Sequence, residues 1–173
     1  MVAEPRILVV LQSRLSSSRL PAKAMLSAAG RPLVVLAAQR AGNAGAEVAV
    51  ATSDQPEDDV IAAAVDAAGV QVVRGPLDDP LARFGIACRG LADDDVVLRL
   101  TGDNVVPDGE LVAFMAAGLA ERGASYARIG GDDPALPYGV AGEVFTAGAL
   151  RRADEAATSA HDREHVTPWL RRE

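Results

Sequence analysis

The chain reads as an α/β protein in three layers, a mostly parallel sheet flanked by helices. Strand-like and helix-like patterns alternate along it with short punctuation, which is the signature of repeated βαβ units. Apolar residues make up 49% of the chain but aromatics only 3%, so Ala, Val and Leu must build the core, and closely packed layers suit such small side chains. No Pro/Ser/Gly tract divides the sequence and no repeat is visible. Residues 1–173 therefore read as a single domain, long enough to bury a proper core.

Ile7–Leu11 is a short, mostly β-branched apolar run and predicts a buried parallel strand. Further strands are expected at Glu47–Thr52, Gln71–Arg74, Asp95–Leu100, Ser125–Arg128 and Glu143–Thr146. Helices fall between and after them, at Pro32–Ala41, Glu57–Ala68, Pro80–Leu91, Asp108–Arg122, Ala147–Thr158 and Asp162–Arg171. Before the second helix, Gln55-Pro56-Glu57-Asp58-Asp59 sets carboxylates in a first turn, where the macrodipole favours them, and Gly69 is the expected C-cap. Gly130–Gly142 is the one long irregular stretch, readable as a lid over a substrate or as a surface excursion.

The balance of 17 Lys+Arg against 24 Asp+Glu leaves a net charge of −7. A general nucleic-acid polymer or membrane-surface binder needs a broad basic face, so neither is expected as a partner. Cys88, the single cysteine, excludes an internal disulfide and a cysteine-based zinc site, and its apolar helical setting predicts a buried structural thiol. A cytoplasmic location is the default for this cysteine usage. No leader-like segment is visible, and Ile7–Leu11 is too short to span a bilayer.

Against that acidic background, the segment Gln12–Lys23 carries Arg14, Arg19 and Lys23 and no carboxylate. It directly follows the first strand, and ligands bind at the carboxyl ends of strands in open α/β sheets. A local reversal of charge at that place suggests an anionic ligand. The sequence is neither G-x-x-x-x-G-K-[ST] nor G-x-G-x-x-G, so side chains must do most of the holding. Arg grips phosphate oxygens as a planar fork and Lys acts as a point charge, with Ser16, Ser17 and Ser18 adding donors. A solvated surface loop with ordinary charges fits the same residues.

A second segment, Val96–Pro107, runs from a strand into Thr101-Gly102-Asp103. Asp103 then stands at a strand's carboxyl end beside the cationic loop. Mg2+ takes one or two carboxylates and fills its octahedron with phosphate oxygens and water, so a triphosphate, Mg2+ and Asp103 form a coherent set. Gly102 would allow close backbone approach to the ligand. The alternative is that Thr101-Gly102-Asp103-Asn104 is a tight turn capping the next helix. Together, loop and turn suggest nucleotidyl transfer, in which an acceptor attacks an α-phosphate and pyrophosphate leaves.

Seven stretches, in order, resemble the cytidylyltransferases of the spore-coat-polysaccharide type, relatives of the acylneuraminate and Kdo cytidylyltransferases. They are Gln12-Ser13-Arg14 with Ser18 to Lys23, Ala51-Thr52-Ser53, Pro56 to Asp59, Arg74-Gly75 with Asp78-Asp79 and Arg83, Arg99 to Asp103, Glu143-Val144-Phe145, and Asp162 to Pro168. The resemblance implies a Rossmann-like fold of the nucleotide-diphospho-sugar transferase type. It also implies CTP and Mg2+ as ligands, a sugar-acid or phosphonate-like acceptor, and a homodimer.

By that resemblance Arg14, Lys23 and Asp103 are the catalytic set. Gln12, Ser13, Arg19, Thr52, Ser53, Arg83, Thr101 and Gly102 join Arg14 and Lys23 around the nucleotide, with Thr52, Ser53 and Arg83 near base and ribose. Arg99 and His165 fall to the acceptor. His161 reads as an exposed residue at the start of the last helix.

The chain departs from the family pattern in three places. Gly139-Val140-Ala141-Gly142 stands where Gly-Leu-Asp-Val is usual, so Ala141 replaces an acid, and the phosphate loop reads Leu-Ser-Ser-Ser in place of Met-Gly-Ser-Thr. The sequence also ends at Glu173, where relatives continue through a strand and helix bearing an aspartate of the metal site. Glu143 becomes the candidate second metal carboxylate, or else a structural charge. Glycosyl transfer from a nucleotide sugar and a non-catalytic nucleotide-binding module are the competing functions.

Overall fold

The computed structural model describes residues 4–16, 20–129, 139–140 and 142–173. Every expected strand forms. The central one, β1 (Ile7–Gln12), delivers the cationic segment, which continues through a short 3-10 turn at Lys23–Met25 into a two-stranded ribbon, β2 (Ser27–Ala28) and β3 (Arg31–Pro32), that no pattern announced. Then come α1 (Leu33–Ala41), β4 (Glu47–Ser53), a 3-10 turn at Pro56–Asp58, α2 (Asp59–Ala67), β5 (Gln71–Gly75) and α3 (Pro80–Ala87). β6 (Val96–Thr101), α4 (Gly109–Glu121), β7 (Tyr126–Ile129), β8 (Gly142–Thr146), α5 (Ala147–Ala156) and α6 (Ala160–His165) complete the chain.

The six main strands lie in the order β5-β4-β1-β6-β8-β7. β5, β4, β1 and β6 are mutually parallel; β8 runs antiparallel to β6 and β7 antiparallel to β8. Alternation along the strands feeds two cores. Val9, Leu11, Val50, Leu98 and Leu100 pack under α1, α2 and α4, whereas Leu8, Val10, Ala49, Ala51, Val97 and Phe145 pack under α3, α5 and the segment after α6 that carries Val166 and Leu170. Both faces are covered, which is why the strands read as continuous apolar runs. Cys88 is 2% exposed in the second core, as a structural thiol should be.

Helix starts follow capping chemistry. Asp79 accepts from the Ala82 N–H, Asp108 from the Glu110 and Leu111 N–H groups, Thr146 from Ala149 and Ser159 from Asp162. Two expectations change here. The cap of α4 is Asp108, so the Thr101–Asn104 turn caps no helix. The last helix, expected to reach Arg171, ends at His165 because Val166 adopts φ 69° and ψ −51°. With the Thr167 N–H donating to the His165 carbonyl at 2.8 Å, this is a γ-turn of the strained, positive-φ kind, held by a Val side chain that is fully buried. Gly69 takes φ 71° just past α2, where a left-handed residue closes the helix. Among the described residues no helix is long and apolar enough to cross a membrane.

Candidate functional site

A cleft of about 370 Å³ opens at the carboxyl ends of β1 and β6. Gln12, Ser13, Arg14 and Lys23 line it from the first strand and its loop, Arg99, Thr101, Gly102 and Asp103 from β6 and its turn, and Glu164 and His165 from α6. Seven residues that the sequence assigned to nucleotide, metal or reaction thus meet there, together with the two assigned to the acceptor. Of the remaining expectations, Arg19 and the Ser17-Ser18 pair lie outside the described residues. So do residues 130–138 of the candidate lid, and Ala141.

The loop is closed at its base, where the Ala22 N–H donates to the Leu15 carbonyl at 3.1 Å. Asp58 holds it from outside. Its Oδ1 accepts the Leu15 N–H at 2.8 Å, while Oδ2 accepts the Ser53 hydroxyl at 2.5 Å and the Ser53 N–H at 3.2 Å. At 2% exposure this carboxylate is a buried clamp between the loop and the end of β4. Sequence reading gave Asp58 only a helix-dipole role. Its place in a carboxylate run just before a helix hid the long-range contact.

Lys23 Nζ and Asp103 Oδ1 form an ion pair across the cleft, with the Asp103 side chain 43% exposed. The turn that carries Asp103 is stapled by Asn104, whose Oδ1 accepts the Thr101 N–H at 2.8 Å and the Thr101 hydroxyl at 3.1 Å, and whose Nδ2 donates to the Gly139 carbonyl at 3.1 Å. Gly139, at φ 93°, brings the chain against the Asp103 carbonyl. Among the described residues no cluster of three or more His, Cys, Asp or Glu side chains could hold a metal. One accessible carboxylate beside a cationic loop instead fits Mg2+ that arrives on a triphosphate, since Mg2+ needs few protein ligands.

Glu143 is placed differently from Asp103. It is absent from the cleft lining, and both of its oxygens are engaged. Oε2 accepts from Arg99 at 2.5 Å, and Oε1 from the Tyr126 hydroxyl at 2.7 Å, the Thr167 hydroxyl at 2.8 Å and the Arg171 guanidinium. Burial pushes its carboxyl up, but the Arg99 charge and the hydrogen bonds from Arg171, Tyr126 and Thr167 outweigh it and hold the group below its usual range. Burial and the Glu143 hydrogen bond push Tyr126 up to about 12. To bind a metal, Glu143 would have to release two guanidiniums.

Thr52, Ser53 and Arg83, assigned to base and ribose, are fully buried and do not line the cleft. Arg83 Nη1 donates to the Pro76 and Leu77 carbonyls at 2.5 and 3.0 Å, but its Nε and Nη2, like Thr52 Oγ1, have no partner among the described residues. Burial, then the nearby Arg14 charge, lower the Arg83 pKa. On the far side of the cleft, Arg163 docks α6 by donating to the cap Asp79 and to Asp154, both at 2.7 Å. This seats His165 at the cleft and leaves His161 exposed, its ring 4.6 Å from that of His165.

Residues 8–173 match the family model described as cytidylyltransferase. The chain is 30% identical to the spore coat polysaccharide biosynthesis protein SpsF of Bacillus subtilis over 95% of its own length and 70% of that protein's. It is 35% identical to a 3-deoxy-manno-octulosonate cytidylyltransferase of an Acidovorax species, over 91% of its own length and 63% of the relative's. The solved cytidylyltransferase from Leptospira borgpetersenii superposes with a TM-score of 0.85 at 23% identity, covering 96% of this chain and 71% of that one, so the fold is shared.

Proposed function

Because this chain belongs to the cytidylyltransferase family, and is by that membership a CTP-dependent nucleotidyltransferase, we propose that it transfers CMP from CTP to a sugar acid or phosphonate-like acceptor, with release of pyrophosphate and with Mg2+ on the triphosphate. A role in polysaccharide biosynthesis, cytoplasmic location and homodimerisation belong to the same proposal, the first by likeness to SpsF. The observation that carries it is the convergence of Arg14, Lys23 and Asp103 on one cleft at the carboxyl ends of β1 and β6.

In this reading an acceptor oxygen attacks the α-phosphorus of CTP. The bond from that phosphorus to the bridging oxygen breaks, the oxygen keeps the electron pair, pyrophosphate departs, and the acceptor's proton passes to solvent. Arg14 and Lys23 stabilise the charge that grows on the departing oxygens. Lys23 exchanges Asp103 for a phosphate oxygen, which frees the carboxylate. Asp103 would hold Mg2+, which when bound would supply Lewis-acid withdrawal of charge from the phosphates. Gln12, Ser13, Arg19, Thr101 and Gly102 surround the triphosphate. The Thr52 hydroxyl and the Nε and Nη2 of Arg83, without partners among the described residues and beside Ser53, support a nucleoside on that flank.

Calorimetric titration with CTP, UTP, ATP and GTP, each with and without Mg2+, tests the donor. Mg2+-dependent preference for CTP, followed by pyrophosphate release with an acceptor, is expected. Release of a nucleoside diphosphate from a nucleotide sugar would replace this reading with glycosyl transfer, and binding of no nucleotide would leave a non-catalytic module.

A further inference from the structure

The bonding of Glu143 and Arg99 carries a consequence beyond phosphate binding. The two residues face each other in the antiparallel register of β6 and β8. Arg99 lines the cleft, but only one end of its guanidinium is used. Nη1 donates to Glu143, Nη2 reaches Gln12 Oε1 at just 3.5 Å, and the buried Nε has no partner among the described residues. The Nε/Nη2 edge, the fork that takes a carboxylate side-on, is thus underused: its Nη2 end makes only the long bond to Gln12, another cleft residue, and its Nε end is buried.

Charge points the same way. One carboxylate, Glu143, sits between the guanidiniums of Arg99 and Arg171, so this cluster, buried at Arg99 and Glu143 and open to solvent at Arg171, keeps one positive charge in excess. Lys23 and Asp103 cancel each other. Glu164 also lines the cleft, but its exposed carboxylate makes no hydrogen bond to Arg99. A buried cation with an unused donor edge is costly unless an anion completes it. The strained turn at Val166 adds a link, since it sets Thr167 against Glu143 while leaving His165 on the cleft.

We propose that Glu143 is a positioning residue and not a metal ligand: it holds the Arg99 guanidinium at the cleft, where that group exchanges its long bond to Gln12 for a carboxylate of the acceptor. The identity of the anion rests on the cytidylyl-transfer reading; the presence of an anion site does not. Arg99 shares the cleft with Arg14, Lys23 and Asp103, which serve the triphosphate in that reading, and it is the one tied to β8 through Glu143, so acceptor and not triphosphate is the assigned source.

The test follows the Arg99 Nε–H resonance of the 15N-labelled full chain, identified by its loss in Arg99→Lys. The chain is titrated at constant ionic strength with 3-deoxy-manno-octulosonate, N-acetylneuraminate, acetate, pyrophosphate, uncharged mannose, and CTP with Mg2+. The carboxylates should move the signal, with mannose and pyrophosphate silent. Glu143→Gln should weaken the carboxylate response about tenfold, the scale of a misplaced binding group, while Mg2+-CTP affinity stays unchanged. Tyr126→Phe, which removes one of the donors to Glu143, gives a milder loss and serves if Glu143→Gln fails to fold.

A response to pyrophosphate or CTP alone, no response to any anion, or an undiminished carboxylate response in both variants would each overturn the proposal. A fall in Mg2+-CTP affinity in Glu143→Gln would return Glu143 to the metal and overturn it too. Failure of the wild-type chain to bind CTP would instead sink the cytidylyl-transfer reading, with the carboxylate response of Arg99 standing on its own.

Discussion

Asp58 Oδ1 accepts the backbone N–H of Leu15 at 2.8 Å, joining two residues 43 positions apart and fastening the cationic loop to the end of β4. The other oxygen takes the Ser53 hydroxyl and N–H. Removing the carboxylate leaves these donors without an acceptor in a site closed to water. Asp58→Ala should therefore cost roughly 2–4 kcal/mol of stability, the scale of hydrogen bonds to a charged group plus unsatisfied donors. It should also loosen triphosphate binding. Urea denaturation and CTP calorimetry measure both, and a stability change under about 0.5 kcal/mol would show that the clamp is idle.

Lys23 and Asp103 are partly exposed, so their pair contributes little to folding, within about 1 kcal/mol. Their weight is in ligand binding. Lys23→Ala should weaken CTP binding about 10- to 100-fold, the loss of one charge-assisted contact. Asp103→Ala should lower Mg2+-dependent turnover at least about a hundredfold with the melting curve little moved. Turnover equal to wild type in Asp103→Ala would remove that residue from the site.

Glu143 makes acid stability a readable quantity. Its carboxyl is held below the ordinary value of about 4.3, so the stabilisation is fully present above that pH and is lost as pH falls through the lower, folded-state value. Asp162, held low by Arg172 and Ser159, adds to the same acid limb. Glu143's own part is therefore the difference between wild type and Glu143→Gln in melting temperature scanned from about pH 6 downward. The two curves should converge as the medium acidifies; a constant gap would mean that the carboxylate's charge contributes nothing.

Gly109 opens α4 with its N–H donated to Asn43 Oδ1 at 2.9 Å. A Cβ there would stand 2.7 Å from the Ala44 backbone nitrogen, which cannot step aside as a flexible side-chain tip could. Alanine's better helix propensity, under about 1 kcal/mol, is outweighed by overpacking of about 1–3 kcal/mol. Gly109→Ala should be destabilising by thermal melt, and a stabilised variant would show that the α1–β4 connection yields freely.

By itself the sequence determined the layers, the six main strands, and the placement of Arg14, Lys23 and Asp103 at strand ends, because each is written locally in apolar runs, turn residues and reversals of charge. Tertiary structure decided what those signals cannot contain. Asp58 looked like a helix-start carboxylate and became a clamp because β4 lies beside β1. Glu143 looked available to a metal and became the anchor of Arg99 because β8 runs antiparallel to β6 and sets the two in register. The last helix looked longer than it is because the Val166 turn is held by burial and by the contacts of Thr167, not by its own propensity. In each case the partner is distant along the chain, and only the packing of the sheet with its flanking turns and helices brings it within bonding distance.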